Sequence, residues 1–324
     1  MTDDSIGQYL NLADERLGAA GLSASDEFFA PLARLLNPAE PEWRAGVYDA
    51  HGKWMDGWET RRRRDQGFDH CVVRLAAPCT LSKLDLDTRF FTGNYPPHAS
   101  VQACRSANTP DTKTMWKELL PRSALQGDQH NYFDLTSNDI WTHLKLNIFP
   151  DGGIARLRAY GRVHREWSTP EVVDLAAALN GGRALACSDE HYGSMQNLLL
   201  PGRGASMADG WETRRRREPG YDWVILRLGR AGQIERVEFD TAHFKGNFPH
   251  QVSIHAALLP EGAGDLSGEC LYWPALLEPQ RLMADQVHAF VTELRSLGQV
   301  SHVRVNMHPD GGLSRVRLFG RPSL

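Results

Sequence analysis

The 324-residue chain is predicted to be all-β, a tandem repeat of two jelly-roll β-sandwich domains. Three observations predict this. The nine-residue string DGWETRRRR occurs at Asp56–Arg64 and again at Asp209–Arg217, 153 residues later, so the chain holds two copies of a unit of about one domain length. The blocks that match between copies are short apolar runs or runs alternating with period two. Glycine- and proline-rich turns separate them, and helix signals are few.

The elements follow in order. Tyr9–Leu17 reads as a short helix. Ser25-Asp26-Glu27 matches Ser188-Asp189-Glu190, and the nine-residue string comes next in each copy. CVVRL (Cys71–Leu75) and WVILRL (Trp223–Leu228) are β-rich runs; LSKLDLDT and IERVEFDT alternate apolar and polar residues. Phe91-Thr92-Gly93-Asn94 matches Phe244-Lys245-Gly246-Asn247, and HLKLNIFPDGGIARLRAYGR (His143–Arg162) matches HVRVNMHPDGGLSRVRLFGR (His302–Arg321). Pro150-Asp151-Gly152-Gly153 and Pro309-Asp310-Gly311-Gly312 read as hairpin turns, with glycine supplying a positive φ. Pro170–Leu179, with Ser168 or Thr169 as N-cap, reads as a helix linking the copies, and Ala284–Leu294 as another short helix. The offset drifts from 153 to 159, which places small insertions in loops. The domains expected are 1–166 and 167–324.

Composition narrows the function. Lys+Arg 36 against Asp+Glu 40 gives a net charge of −4, which argues against a nucleic-acid binder despite the arginine runs. The five cysteines form no CxxC pair, and none matches its counterpart in the other copy, so neither a disulfide framework nor a zinc knuckle is expected. The amino terminus shows no secretory signal, and no apolar run approaches the roughly 18 residues of a membrane span. A soluble, cytoplasmic protein is expected.

The chemistry concentrates in two places. On the strand after the Asp-Gly-Gly turn, Arg156 and Arg158 share a face, as do Arg315 and Arg317. On the strand before it, His143, Lys145 and Asn147 share a face, repeated as His302, Arg304 and Asn306; for Lys145 and Arg304 a solvated outer face is expected. In the nine-residue string, Glu59, Arg61 and Arg63 line one face of an extended segment. The functional reading is an arginine fork for a carboxylate beside a general acid or base; the architectural alternative is a salt-bridge lattice inside the sandwich. Asn94 and Asn247 sit on loops and suit carbonyl and amide groups. No Ser-His-acid order, HExxH or P-loop occurs. His98, His130 and His255 have no histidine counterpart and read as surface or satisfied side chains. The sequence requires no cofactor, and its carboxylates and histidines leave a divalent metal open.

The set SDEFFA, KWMDGWETRRRR, LDTRFFTGN and THLKLNIFPDGGIARLRAYG resembles the allantoicase family, over roughly Gln8 to Arg321. The resemblance implies a hydrolase acting on a linear ureide C–N bond: allantoate and water give (S)-ureidoglycolate and urea, in allantoin and purine breakdown. It also implies jelly rolls of the galactose-binding or discoidin type and a homo-oligomer, trimer or hexamer. Allantoate carries one carboxylate and two ureido groups on one carbon. Arg61, Arg156 and Arg158 suit the carboxylate; Asn94 and Thr60 suit the ureido groups. Glu59 or Glu27 is the expected base, Asp56 and Asp151 supporting acids, and His143 a proton donor. In the second copy Glu212, Arg214, Asn247, Asp310, Arg315 and Arg317 match, which allows two equivalent sites, one composite site, or one live and one relict site. The alternative from another class is a non-enzymatic discoidin-like protein that binds a small anion or carbohydrate.

Overall fold

The computed structural model describes residues 6–168, 171–260, 262 and 266–323. It divides into two units, Met1–His164 and Arg165–Leu324. Each is an antiparallel β-sandwich built on one 19-residue strand, Asp69–Asp87 in the first unit and Asp222–Asp240 in the second. The first half of Asp69–Asp87 pairs with Trp141–Phe149 and Ala20–Ala24; the second half pairs with Arg156–Val163 and Tyr132–Asp134. One strand therefore serves both layers. It changes partners around Pro78, and the second unit does so around Gly229–Gly232. Residues that cannot hold a regular ladder are what such a switch needs. His98–Cys104 and Lys117–Ala124 extend the first layer.

Alternation fills the space between the layers. Cys71, Val73, Leu84, Leu86, Leu144, Leu146, Ile148 and Leu157 form one buried cluster with Trp58, Ile154, Leu35 and Leu36. At about 1.5–3 kcal/mol per fully buried large apolar side chain, this cluster dominates the stability of the unit.

Three sequence expectations change. No α-helix occurs among the described residues. Tyr9–Leu17 is instead the short strand Leu10–Asn11, paired to Tyr160 and Gly161, and a 3-10 turn Glu15–Leu17 capped by Asp14. In Ala284–Leu294 the strand Val287–Phe290 pairs to Val237–Asp240. Edge pairing offers more hydrogen bonds than an isolated two-turn helix, so it wins over local propensity. In Pro170–Leu179, residues 169 and 170 lie outside the described residues; the rest holds the strand Val173–Asp174.

Secondly, the Pro-Asp-Gly-Gly segments are not hairpin turns. Trp141–Phe149 and Arg156–Val163 each pair with the long strand rather than with one another, so the segment crosses between layers at one end of the sandwich. Gly152 has φ 137°, and a Cβ there would lie 2.7 Å from the Asn94 carbonyl oxygen, so the crossing requires glycine. Thirdly, Arg304 is buried rather than solvated. It lies over the Tyr221 and Trp223 rings, on a face covered by Leu266, Cys270 and Trp273. Its counterpart Lys145 is half-buried.

Candidate active site

The duplicated string forms the rim at the crossing end. Trp58–Glu59 is a two-residue strand paired with Gly153–Ile154 on one side and bridged to Ala30 on the other. Trp58 points inward, fully buried, and its indole N–H donates to the Asp26 carbonyl at 2.9 Å. Strand alternation then turns Glu59 to the rim. Its Oε1 accepts from Asn94 Nδ2 at 2.7 Å, while Oε2 has no partner among the described residues. Only 9% of Glu59 is exposed, and burial pushes its carboxyl above the usual carboxylate range, against the opposing pull of the Asn94 hydrogen bond.

The arginine run splits by alternation. Arg61 is gripped by Asp26, which accepts from its backbone N–H and Nε and pairs with Nη2 at 3.0 Å. Arg63 pairs with buried Asp69 and with Asp65, and its backbone N–H donates to Asp151. Arg62 and Arg64 are exposed, without a partner among the described residues. The second unit repeats the scheme: Asp189 holds Arg214, Asp222 holds Arg216, and Asp310 accepts from the Arg216 N–H.

Several residues expected to meet substrate prove to be architecture. Arg156 is fully buried; it pairs with Asp56 at 2.7 Å and donates to the carbonyls of Arg34, Ala39, Asp56 and Ala155. Arg158 donates to the Pro38 and Ala39 carbonyls and pairs with Glu40. Arg315 does the same work with Asp209, and Arg317 with the Leu198, Leu200 and Gly202 carbonyls. A buried guanidinium has five N–H groups to satisfy; loop carbonyls and Asp56 meet those of Arg156, while Arg315 Nε has no partner among the described residues. Thr60 exchanges hydrogen bonds with Gly152. Glu27 accepts from the Leu32 N–H at the start of the 3-10 turn Leu32–Leu36. It also borders a cleft of about 480 Å³ between that turn and the Ala20–Ala24 strand. His143 is buried against Thr142. It lies five residues, roughly 17 Å, along its strand from Ile148 at the crossing end. The structure thus leaves Glu59, Asn94 and Arg61 together on the rim and withdraws His143 from it.

The two rims differ in cover. In the first unit a hairpin, Tyr48–Asp49 with Gly52–Lys53, stands between the 3-10 turn and the string. His51 from its tip stacks on Phe28 at 4.2 Å, and the Arg61 guanidinium lies 5.2 Å from the same ring. The second unit spans the equivalent stretch with a 3-10 turn, Met207–Asp209, and has His191 in place of Phe28. There Glu212 keeps its bond from Asn247 but is more exposed than Glu59.

A second polar cluster escaped the sequence reading. On the outer face of the Arg156–Val163, Asp69–Asp87 and Tyr132–Asp134 strands, Asp85 Oδ2 lies 2.7 Å from His130 Nδ1, with Asp87, Arg89, Arg158, Glu40, Tyr132 and Tyr160 around them. The available signal was that LSKLDLDT puts Asp85 and Asp87 on one face, and that His130 follows in a loop. Ligand atoms of Glu40, Asp87 and His130 lie within 4.8 Å of one another, the spacing a divalent cation needs, but Arg89 already bridges Asp87 and Glu40.

Residues 10–164 and 173–323 match the family model described as allantoicase repeat. A protein of Pseudomonas paraeruginosa named probable allantoicase is 55% identical over 321 residues, covering 98% of this chain and 97% of that protein. One of Burkholderia pseudomallei, probable allantoicase 2, is 55% identical over 318 residues, covering 97% and 95%. The crystal structure of allantoicase from Saccharomyces cerevisiae superposes with a TM-score of 0.82 at 35% identity, covering 98% of this chain and 94% of that one.

Proposed function

The chain belongs to the allantoicase family, and we propose that the Glu59 rim of the first repeat carries its reaction. The protein is a hydrolase that converts allantoate and water to (S)-ureidoglycolate and urea in purine degradation. The observation behind the site assignment is that Glu59 combines burial, an up-shifted carboxyl and one oxygen with no partner among the described residues.

A single carboxylate of that kind can serve as base and then as acid. Glu59 takes the N–H proton of the ureido arm that stays, as that nitrogen's electrons form C=N and the other C–N bond breaks. The same proton passes to the departing nitrogen, giving urea. Water then adds to the C=N carbon, and Glu59 relays the water proton to nitrogen. Asn94 aims the carboxylate by holding Oε1. Arg61, fixed by Asp26 yet solvent-facing, binds the substrate carboxylate. This route calls on no cofactor.

We also propose a cytoplasmic homo-oligomer. No helix among the described residues is long and apolar enough to cross a membrane, none of the five cysteines forms a disulfide, and Met115, Tyr272 and Leu271 are exposed apolar groups suited to an interface. The test is release of urea and ureidoglycolate from allantoate by purified protein, with and without a chelator. Turnover in both is expected. No turnover by folded protein supplied with divalent metal would overturn the reading.

A further inference from the structure

The Glu59 route leaves the outer cluster of the first repeat unused. We infer that this cluster is a second ligand site, where His130 Nε2 meets a small carboxylic acid bearing ureido or amide groups.

Register builds the site. Arg158 faces Asp85 across one ladder, and Asp85 faces Tyr132 across the next, so alternate residues of three adjacent strands share the outer face. Asp85 is fully buried and holds His130 through Nδ1. A carboxylate on Nδ1 fixes the ring's tautomer and orientation and leaves Nε2 as the working nitrogen. Nε2 has no partner among the described residues, and the side chain is 30% exposed. Tyr132 stacks flat on the ring at 5.3 Å. Beside the imidazole the largely exposed Glu40 pairs with both Arg89 and Arg158, and buried Asp87 pairs with Arg89, so a ligand carboxylate takes the place Glu40 holds on the guanidiniums and leaves Glu40 to accept. Guanidinium forks suit a carboxylate, and carboxylates suit the paired N–H groups of a ureido arm. A ligand offering both matches the whole set.

The second repeat shows that the fold does not need this chemistry. It keeps the buried staples Arg315 and Arg317. At the register positions of His130, Tyr132 and Tyr160 it has Val287, Ala289 and Phe319, with Glu238 for Asp85. The sandwich closes equally well without the imidazole or either phenol.

The inference shares only the substrate class with the Glu59 assignment, so the test uses Glu59→Gln protein. The imidazole resonances of His130 are followed while ureidoacetate is added, with acetate and urea as separate arms. Saturable shifts with ureidoacetate, at least about tenfold tighter than with either fragment, are expected. Arg89→Met should weaken them, and His130→Gln should remove one ureidoacetate per chain by calorimetry without lowering Tm. Resonances unmoved at saturating ureidoacetate, or unchanged stoichiometry in folded His130→Gln, would overturn the inference. Undiminished turnover by Glu59→Gln would instead count against the rim assignment and leave the His130 readout intact.

Discussion

The two repeats share their staples and differ in their surroundings. Trp58 and Trp211 donate to the same loop carbonyl, Asp26 and Asp189 grip the same arginine, and Arg156 and Arg315 tie down the same loop. Among the described residues, only the first repeat has a hairpin at this rim, its His51 stacked on Phe28, and only the first backs a histidine with a buried aspartate on the outer face. The duplication therefore covers the staples and the Glu59–Asn94 and Arg61–Asp26 pairs alike, and what differs is the cover around them.

The largest effect that sharpens this contrast is on stability. Arg156→Met and Arg315→Met should each cost about 3–5 kcal/mol, because each leaves a sheltered aspartate and several carbonyls unpaired. Denaturant melts check it; a loss of Arg156 that left stability unchanged while raising KM would return that residue to substrate binding.

Next comes the amide. Asn94→Ala should lower kcat by roughly 10–100-fold. It removes the bond that favours the ionised carboxylate, so Glu59 moves further up and the acid limb of the kcat/KM profile shifts to higher pH. Asn247→Ala should leave the limb in place.

Replacing the first hairpin by the shorter second-repeat stretch works in the opposite sense. A more exposed Glu59 falls back toward the ordinary carboxylate range, the limb moves to lower pH, and kcat drops several-fold. A limb unmoved by this swap would separate the hairpin from the glutamate's environment.

The smallest effect concerns Glu59 and folding. A carboxyl raised in the folded state is most favourable when protonated, so its contribution is lost as pH rises through the folded value. At neutral pH Glu59→Gln should therefore melt no lower than wild type, and about 1–3 °C higher if packing is kept. A lower Tm would make Glu59 one more staple.

The repeat and its strands were legible because they rest on alternation and on identity between copies, whereas the Glu59–Asn94 hydrogen bond joins residues 35 apart that no local pattern connects. The choice between a substrate fork and an architectural role for the arginines stayed open in the sequence because it cannot show that Arg156 and Arg158 face carbonyls of the 34–39 loop. His143 was misplaced because its strand runs away from the crossing end. The His130 cluster stayed hidden because its partners come from Glu40, the long strand and the Tyr132 strand, separations that no local pattern connects.

The most direct test of the central claim is urea release from allantoate by Glu59→Gln and Glu212→Gln measured side by side. The account predicts that the first loses kcat by roughly 10²–10⁴-fold while the second stays near wild type. Equal losses, or a loss only in Glu212→Gln, would contradict it.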